Sequence, residues 1–195
     1  EKIAAEVFER DLTDPKDLLV GELEEERKAL VQEIGENMNV RRIACLGSKD
    51  SYIATYIHTD NRKAVLLELS GKHEELGKDL AMHITAINPL VVEASDVSDQ
   101  LLAKEREIYT AQAEESGKPP EIIEKMVEGR VKKYLGEVSF VEQPFVKDSN
   151  VKVGQLLSEK NISCKGFVRF EVGEGIEVVE EDFAAEVAAQ IKDLG

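Results

Sequence analysis

No apolar run in this sequence approaches the ~20 residues that a membrane-spanning helix needs, so a soluble, cytoplasmic protein is expected. Cysteine is scarce. Cys45 and Cys164 are the only two; they lie far apart, and their spacing matches neither a zinc site nor a redox pair. Each sits among apolar neighbours, which predicts two buried, reduced thiols. The three histidines, His58, His73 and His83, pair with no second His, Cys or carboxylate at metal-ligand spacing, so no metal is expected. The chain also lacks a Gly-Xaa-Ser-Xaa-Gly elbow, a phosphate-cradling loop ending in Lys and Ser/Thr, and a catalytic-cysteine signature. Gly173-Glu174-Gly175 lacks the third glycine of a dinucleotide loop and puts a glutamate where phosphate would approach; it reads as a turn, and no cofactor is expected.

Positive charge is in short supply as well. Forty acidic against 25 basic side chains give a formal net charge of −15, which repels a phosphate backbone and speaks against direct nucleic-acid binding. Carboxylate runs such as Glu24-Glu25-Glu26 and Glu180-Glu181-Asp182 read as solvated helix starts favoured by the helix dipole, not as acid/base pairs. An enzyme is therefore not expected, and function is expected to reside in binding surfaces.

What is present is ordinary for a globular protein: 195 residues, 42% hydrophobic and 33% charged, enough for one domain or two small lobes. The sequence opens inside an amphipathic pattern without an initiator Met or a targeting segment, and reads as a piece of a longer protein. Residues 1–12 space Ile3, Val7 and Phe8 like one helical face, and Thr13-Asp14-Pro15 closes it with a turn. Residues 22–35 set Leu23, Leu30, Val31 and Ile34 on one side, with Gly35 as the C-terminal stop. The period then changes. Residues 39–47, 51–58 and 63–70 are short β-branched or aromatic runs, with a hairpin signal at Thr59-Asp60-Asn61, which predicts an antiparallel sheet. A helix over 72–87 crosses it and ends at Pro89. Within that helix His83 falls among Leu76, Leu80, Ile84 and Ile87 and reads as a packed interior residue.

Residues 96–136 carry two helical patterns joined at Gly117-Lys118-Pro119-Pro120. Val97, Leu101, Ile108 and Tyr109 line the first; Ile122, Ile123, Met126, Val127, Val131 and Tyr134 line the second. Such a pair folds back as an antiparallel hairpin, an arm of ~30 Å. A strand over 137–146, a short helix over 151–161, a strand over 166–178 and a helix over 181–194 follow. The order of segments repeats, so the expected fold is α+β: two related subdomains with small antiparallel sheets and packed helices, and a coiled-coil hairpin inserted in the second. The boundaries are 1–92, 93–136 for the hairpin, 137–178, and 179–195 for a C-terminal helical module.

The segments ALVQEIGENMNVRRI, YIHTDNRKAVLLEL, DLAMHITAINP, SGKPPEIIEKMVEGRVKKYLGEVSFVEQPFV and GFVRFEVGEGIEVVEEDFAAEVAAQ together resemble the bacterial elongation factor Ts family, in the right order from about Glu22 onward. The resemblance implies a guanine nucleotide exchange factor that binds elongation factor Tu and acts without covalent catalysis. It also implies paired subdomains, a coiled coil that can mediate a homodimer, and a final helix that contacts the GTPase. Residue by residue, it puts Ile34 and Gly35 in a partner-contacting loop and His58 at the histidine of a Tyr-Xaa-His-Gly hairpin, with Thr59 in place of the glycine. Lys78 matches a contact-region lysine, Asp79 stands where relatives commonly carry His, and Phe183 and Val187 fall on the partner-binding C-terminal helix.

A Thr-Asp-Phe-Val segment that wedges beside the GTPase magnesium site in the family is not in this sequence and would lie before Glu1. A rival reading is a coiled-coil structural or oligomerisation protein without exchange activity; deleting Asp96 to Gly136 abolishes all binding in that case and spares the core interface of an exchange factor. The resemblance predicts that this chain binds elongation factor Tu yet accelerates GDP release less than a factor carrying the wedge. Stopped-flow release of labelled GDP checks it, and equal rates would refute it.

Overall fold

The structure is a computed structural model that describes residues 2–176. It begins with α1 (Lys2–Glu9), α2 (Pro15–Leu18) and α3 (Glu22–Ile34). The Asp14 carboxylate accepts the Lys16 N–H at 2.8 Å, and Pro15 takes the first helical position. The expected turn at 13–15 therefore starts a short helix rather than a loop. Val7 and Leu18 are buried, whereas Phe8 is 80% exposed. The apolar row of α3 is also less covered than its periodicity predicts: Leu30 and Ile34 are exposed and no residue of the helix is buried.

Strands β1 (Tyr52–Ile57) and β2 (Lys63–Leu69) form the expected hairpin. Its turn is closed by the His58 N–H donating to the Lys63 carbonyl at 2.9 Å, with Asn61 at φ 57°. Helix α4 (Glu74–Ile87) follows and stops at Asn88, which takes the left-handed conformation one residue before Pro89. Helices α5 (Asp99–Glu114) and α6 (Pro120–Val138) make the antiparallel arm. The Ser98 hydroxyl caps α5 by accepting the Leu101 N–H.

The arm's seam is shifted from the expected stripe. Leu102, Tyr109 and Ala113 face Ile123, Met126, Val127, Val131 and Leu135, while Ile108 and Ile122 are exposed. Val97, read as part of the first stripe, is buried before the helix begins and so takes no part in the seam.

Two expected strands are absent. Residues 39–47 form no ladder, and 137–146 is read as a strand from sequence but finishes α6, makes a 3₁₀ turn at Phe140–Glu142 and leaves only β3 (Pro144–Phe145). Strand β4 (Asp148–Lys152) pairs with β3, α7 (Val153–Glu159) follows, and β5 (Cys164–Glu171) runs antiparallel to β2. The main sheet has the order β1-β2-β5. Strand alternation puts Tyr52, Ala54, Tyr56, Val65, Leu67, Leu69 and Phe167 on its inner face. Leu80, Ala81 and Ile84 of α4 cover that face together with Phe140, Phe145, Val153 and Leu157. Each fully buried Val, Leu or Ile side chain among them contributes about 1.5–3 kcal/mol. Among the described residues no helix is long and apolar enough to cross a membrane.

The close approach of α4 to the sheet depends on Gly77, where an added Cβ would lie 2.9 Å from the Ala54 Cβ and 3.2 Å from the Tyr52 ring. Gly77→Val is expected to cost about 1–3 kcal/mol by overpacking. Urea unfolding checks this, and an unchanged midpoint would contradict the packing described.

Candidate functional site

The outer face of the main sheet carries Ile53, Ile57, Leu66, Val168 and Phe170 by the same alternation. No helix covers it. The segment 36–48 lies across it instead, held by side chains. The Arg42 guanidinium sits 4.7 Å from the centre of the Phe170 ring, and the Ser48 hydroxyl donates to the Glu68 carboxylate at 2.8 Å. This is why residues 39–47 make no ladder: their anchors are side chains over the sheet face, not backbone groups at its edge. Cys45, expected to be buried, is exposed for the same reason. Cys164 is half-buried, and burial pushes its thiol up to about 12, which leaves it protonated and unreactive.

Between this segment and the sheet runs a groove of about 680 Å³. Its walls are residues 36–42 on one side, and Asn61 to Ala64 with Phe170 to Gly173 and Ile176 on the other. At one end the 173–175 turn, correctly anticipated from its glycines, places Gly173 and Gly175 at φ 83° and 71° with Glu174 between them. The Glu174 carboxylate meets Arg42 at 2.7 Å and Arg169 at 3.2 Å, and its carbonyl accepts from Arg41 at 2.6 Å. Arg169, with a side chain 8% exposed, also holds Glu171 at 2.5 Å. That bond, assisted by Lys63, keeps the Glu171 carboxyl below its ordinary range. Sequence reasoning missed this cluster, although alternation along β5 puts Arg169 and Glu171 on one face and so signals the pair.

The partner-binding residues expected from the sequence fall into two groups. Ile34, 54% exposed, ends α3. Gly35 caps it at φ 78°, with open space where a Cβ would stand, so backbone conformation rather than crowding calls for glycine. Gly35 leads directly into the groove wall at Glu36. His58 closes β1 beside the wall residues that begin at Asn61; its ring is half-buried, with Nδ1 3.5 Å from the Tyr56 hydroxyl. Lys78 and Asp79 lie elsewhere. They sit on the first turns of α4, next to Gly77, which packs on Tyr52 and Leu69 at the end of the hairpin away from His58. Lys78 is exposed, and Asp79 accepts from Lys147 at 2.6 Å. Phe183, Val187 and the expected closing helix lie outside the described residues.

His83, expected inside, is fully buried between the rings of Phe140 and Phe145. Its Nδ1 accepts the Val146 N–H at 3.1 Å, so the proton belongs on Nε2, which donates to Gln143 Oε1 at 2.9 Å. Gln143 in turn donates through Nε2 to the Glu137 carbonyl at 2.6 Å. Each partner fits the neutral imidazole and one amide orientation. Among the described residues no group of three or more His, Cys, Asp and Glu is placed to hold a metal ion.

Burial pulls the His83 pKa below its ordinary value, against a smaller opposing effect of Gln143. As pH falls, the unfolded chain binds a proton near pH 6.5 while the folded chain does not. The contribution of His83 is thus complete above pH 7 and is lost as pH drops from about 6.5 towards the depressed value, by at most about 1.4 kcal/mol per pH unit. Urea midpoints at pH 7.5 and 5.5 check this; the loss in His83→Gln should be smaller than in the wild type.

Comparison with known proteins agrees with the pattern of segments. A profile of the elongation factor Ts family matches residues 1–174. The chain is 54% identical to the elongation factor Ts of Hahella chejuensis over 190 residues, which is 97% of this chain and 66% of the relative. It is 48% identical to that of Saccharophagus degradans over 191 residues, 98% of this chain and 66% of the relative. Against that of Citrobacter koseri the figures are 53% over 176 residues, 90% and 61%. The chain spans just under two thirds of the length of these relatives. It belongs to the elongation factor Ts family.

Proposed function

We propose that this chain is a guanine nucleotide exchange factor that binds elongation factor Tu, promotes GDP release so that GTP can rebind, and so serves translation elongation in the cytoplasm. The observation that carries the reading is membership of the family along residues 1–174. The 93–136 hairpin interrupts the chain between 1–92 and 137–178, and because β5 joins β1 and β2 in one sheet over one core, those two segments would grip the GTPase as one body, with 179–195 proposed as a further module.

No bond need be broken. A factor that holds the nucleotide-free GTPase more tightly than the GDP form must, by linkage, weaken GDP binding by the same ratio. The factor selects the empty state of the GTPase, and the distortion follows from that preference. In this reading Ile34, Gly35 and His58 form one contact region beside the groove, and Lys78 with Asp79 a second on α4. Phe183 and Val187 would supply a third. An exposed Ile34 and an open Gly35 support the first region, since contact residues have to be accessible before the partner arrives.

Calorimetry tests the proposal. The chain is expected to bind nucleotide-free elongation factor Tu about 10- to 100-fold more tightly than the GDP form, within the usual range of coupling. His58→Ala should weaken the tighter complex about ten-fold. Equal affinity for the two GTPase forms would overturn the reading.

A further inference from the structure

The buried contacts of His83 converge on one short stretch of chain. Residues 143–147 have little regular structure, yet they sit against α4 and the base of the arm. Gln143 accepts the His83 Nε2–H through its side-chain oxygen, donates through its side-chain nitrogen to the Glu137 carbonyl at the end of α6, and accepts the Val153 N–H of α7 through its backbone carbonyl at 3.0 Å. Val146 donates its backbone N–H to His83 Nδ1. The next residue, Lys147, reaches Asp79, one helical turn before His83 on α4. Helix α4 therefore holds this stretch at two points. One is buried, His83 on Val146; the other is at the surface, Asp79 on Lys147.

The two points differ in strength. An exposed ion pair fixes geometry poorly, because water screens it and both side chains keep rotamer freedom. A buried imidazole with both nitrogens committed fixes it well, because a lost bond leaves an unsatisfied group in the interior. We propose that His83 is a positioning residue: by holding the Val146 amide and the Gln143 amide it sets the 143–147 stretch against α4, so that Lys147 and Asp79 present one fixed arrangement of charge beside Lys78 to the partner GTPase. The inference rests on the functional reading above and adds a residue that touches no partner itself.

The test uses His83→Phe, which keeps a ring but removes both nitrogens, and His83→Asn, which returns an acceptor for Val146. GDP release from elongation factor Tu is followed by stopped flow over a range of chain concentrations. In His83→Phe the half-saturating concentration should rise about five-fold or more with the limiting rate little changed, a split that marks lost binding geometry. Amide exchange at Val146 should quicken about ten-fold or more while Leu67, in the core strand β2, keeps its protection. His83→Asn should restore most of both. If the wild-type chain binds and His83→Phe has the wild-type half-saturating concentration, the positioning role is wrong. It is equally wrong if Leu67 loses protection together with Val146, because His83 is then only a core residue. If the wild-type chain does not bind the GTPase at all, the functional reading has failed, and this inference falls with it.

Discussion

An irregular stretch of backbone buried in a protein must find a hydrogen-bond partner for each of its polar groups, and that constraint organises the centre of this molecule. Between the arm and β4, Ser139, Phe140 and Gln143 are at most 2% exposed. The stretch is satisfied piecemeal. Phe140 and Val141 donate to the carbonyls of Val91 and Val92, Val153 donates to Gln143, and the side chains of His83 and Gln143 take what the backbone leaves over. With these backbone groups paired, and only the buried Ser139 hydroxyl of the stretch left without a partner among the described residues, Phe140 and Phe145 lie in the same core as Leu67, Leu80 and Ile84.

The other side of the sheet is built on a different principle. Among the described residues its covering layer is neither helix nor strand but a strap held by a guanidinium over an aromatic ring and by ion pairs gathered on Glu174. In a chain with so large an excess of carboxylates, drawing Arg41, Arg42 and Arg169 onto one glutamate concentrates a scarce charge at one end of the groove. The Glu68 carboxyl, held below its ordinary range by the Ser51 and Ser48 hydroxyls, anchors the far end of the strap, at Ser48.

Much of this was legible beforehand, and the exceptions share a cause. Periodicity located α3, α4, α5 and α6, and turn chemistry located the β1–β2 hairpin, Gly35 and the Gly173–Gly175 turn, because those signals are local. Interior placement of His83 followed from its helical neighbours. What the residues could not announce was pairing between distant segments. Arg42 has to meet Phe170 and Glu174 before residues 39–47 can be recognised as a strap, and Cys45 is turned outward by the same encounter. The β-rich look of 137–146 likewise yields to tertiary context, since its apolar side chains serve a core built mostly by other elements. Of the residues proposed for partner contact, Ile34, Gly35 and His58 stand near one groove and Lys78 with Asp79 stand apart, an arrangement no linear spacing encodes.

The placement of β5 has a kinetic side. Strands β1 and β2 are joined by a tight turn and can close early, whereas Leu69 finds Cys164 only after the whole helical arm has been made. Closing so long a loop is slow, and chain order during synthesis delays it further. Until then the free edge of β2 is open to mispairing with any strand that passes. The arm closes on a seam of its own, Ala113 with Val127 and Val131, through contacts more local in sequence than the β2–β5 pairing, and its collapse shortens the loop that β5 has to close.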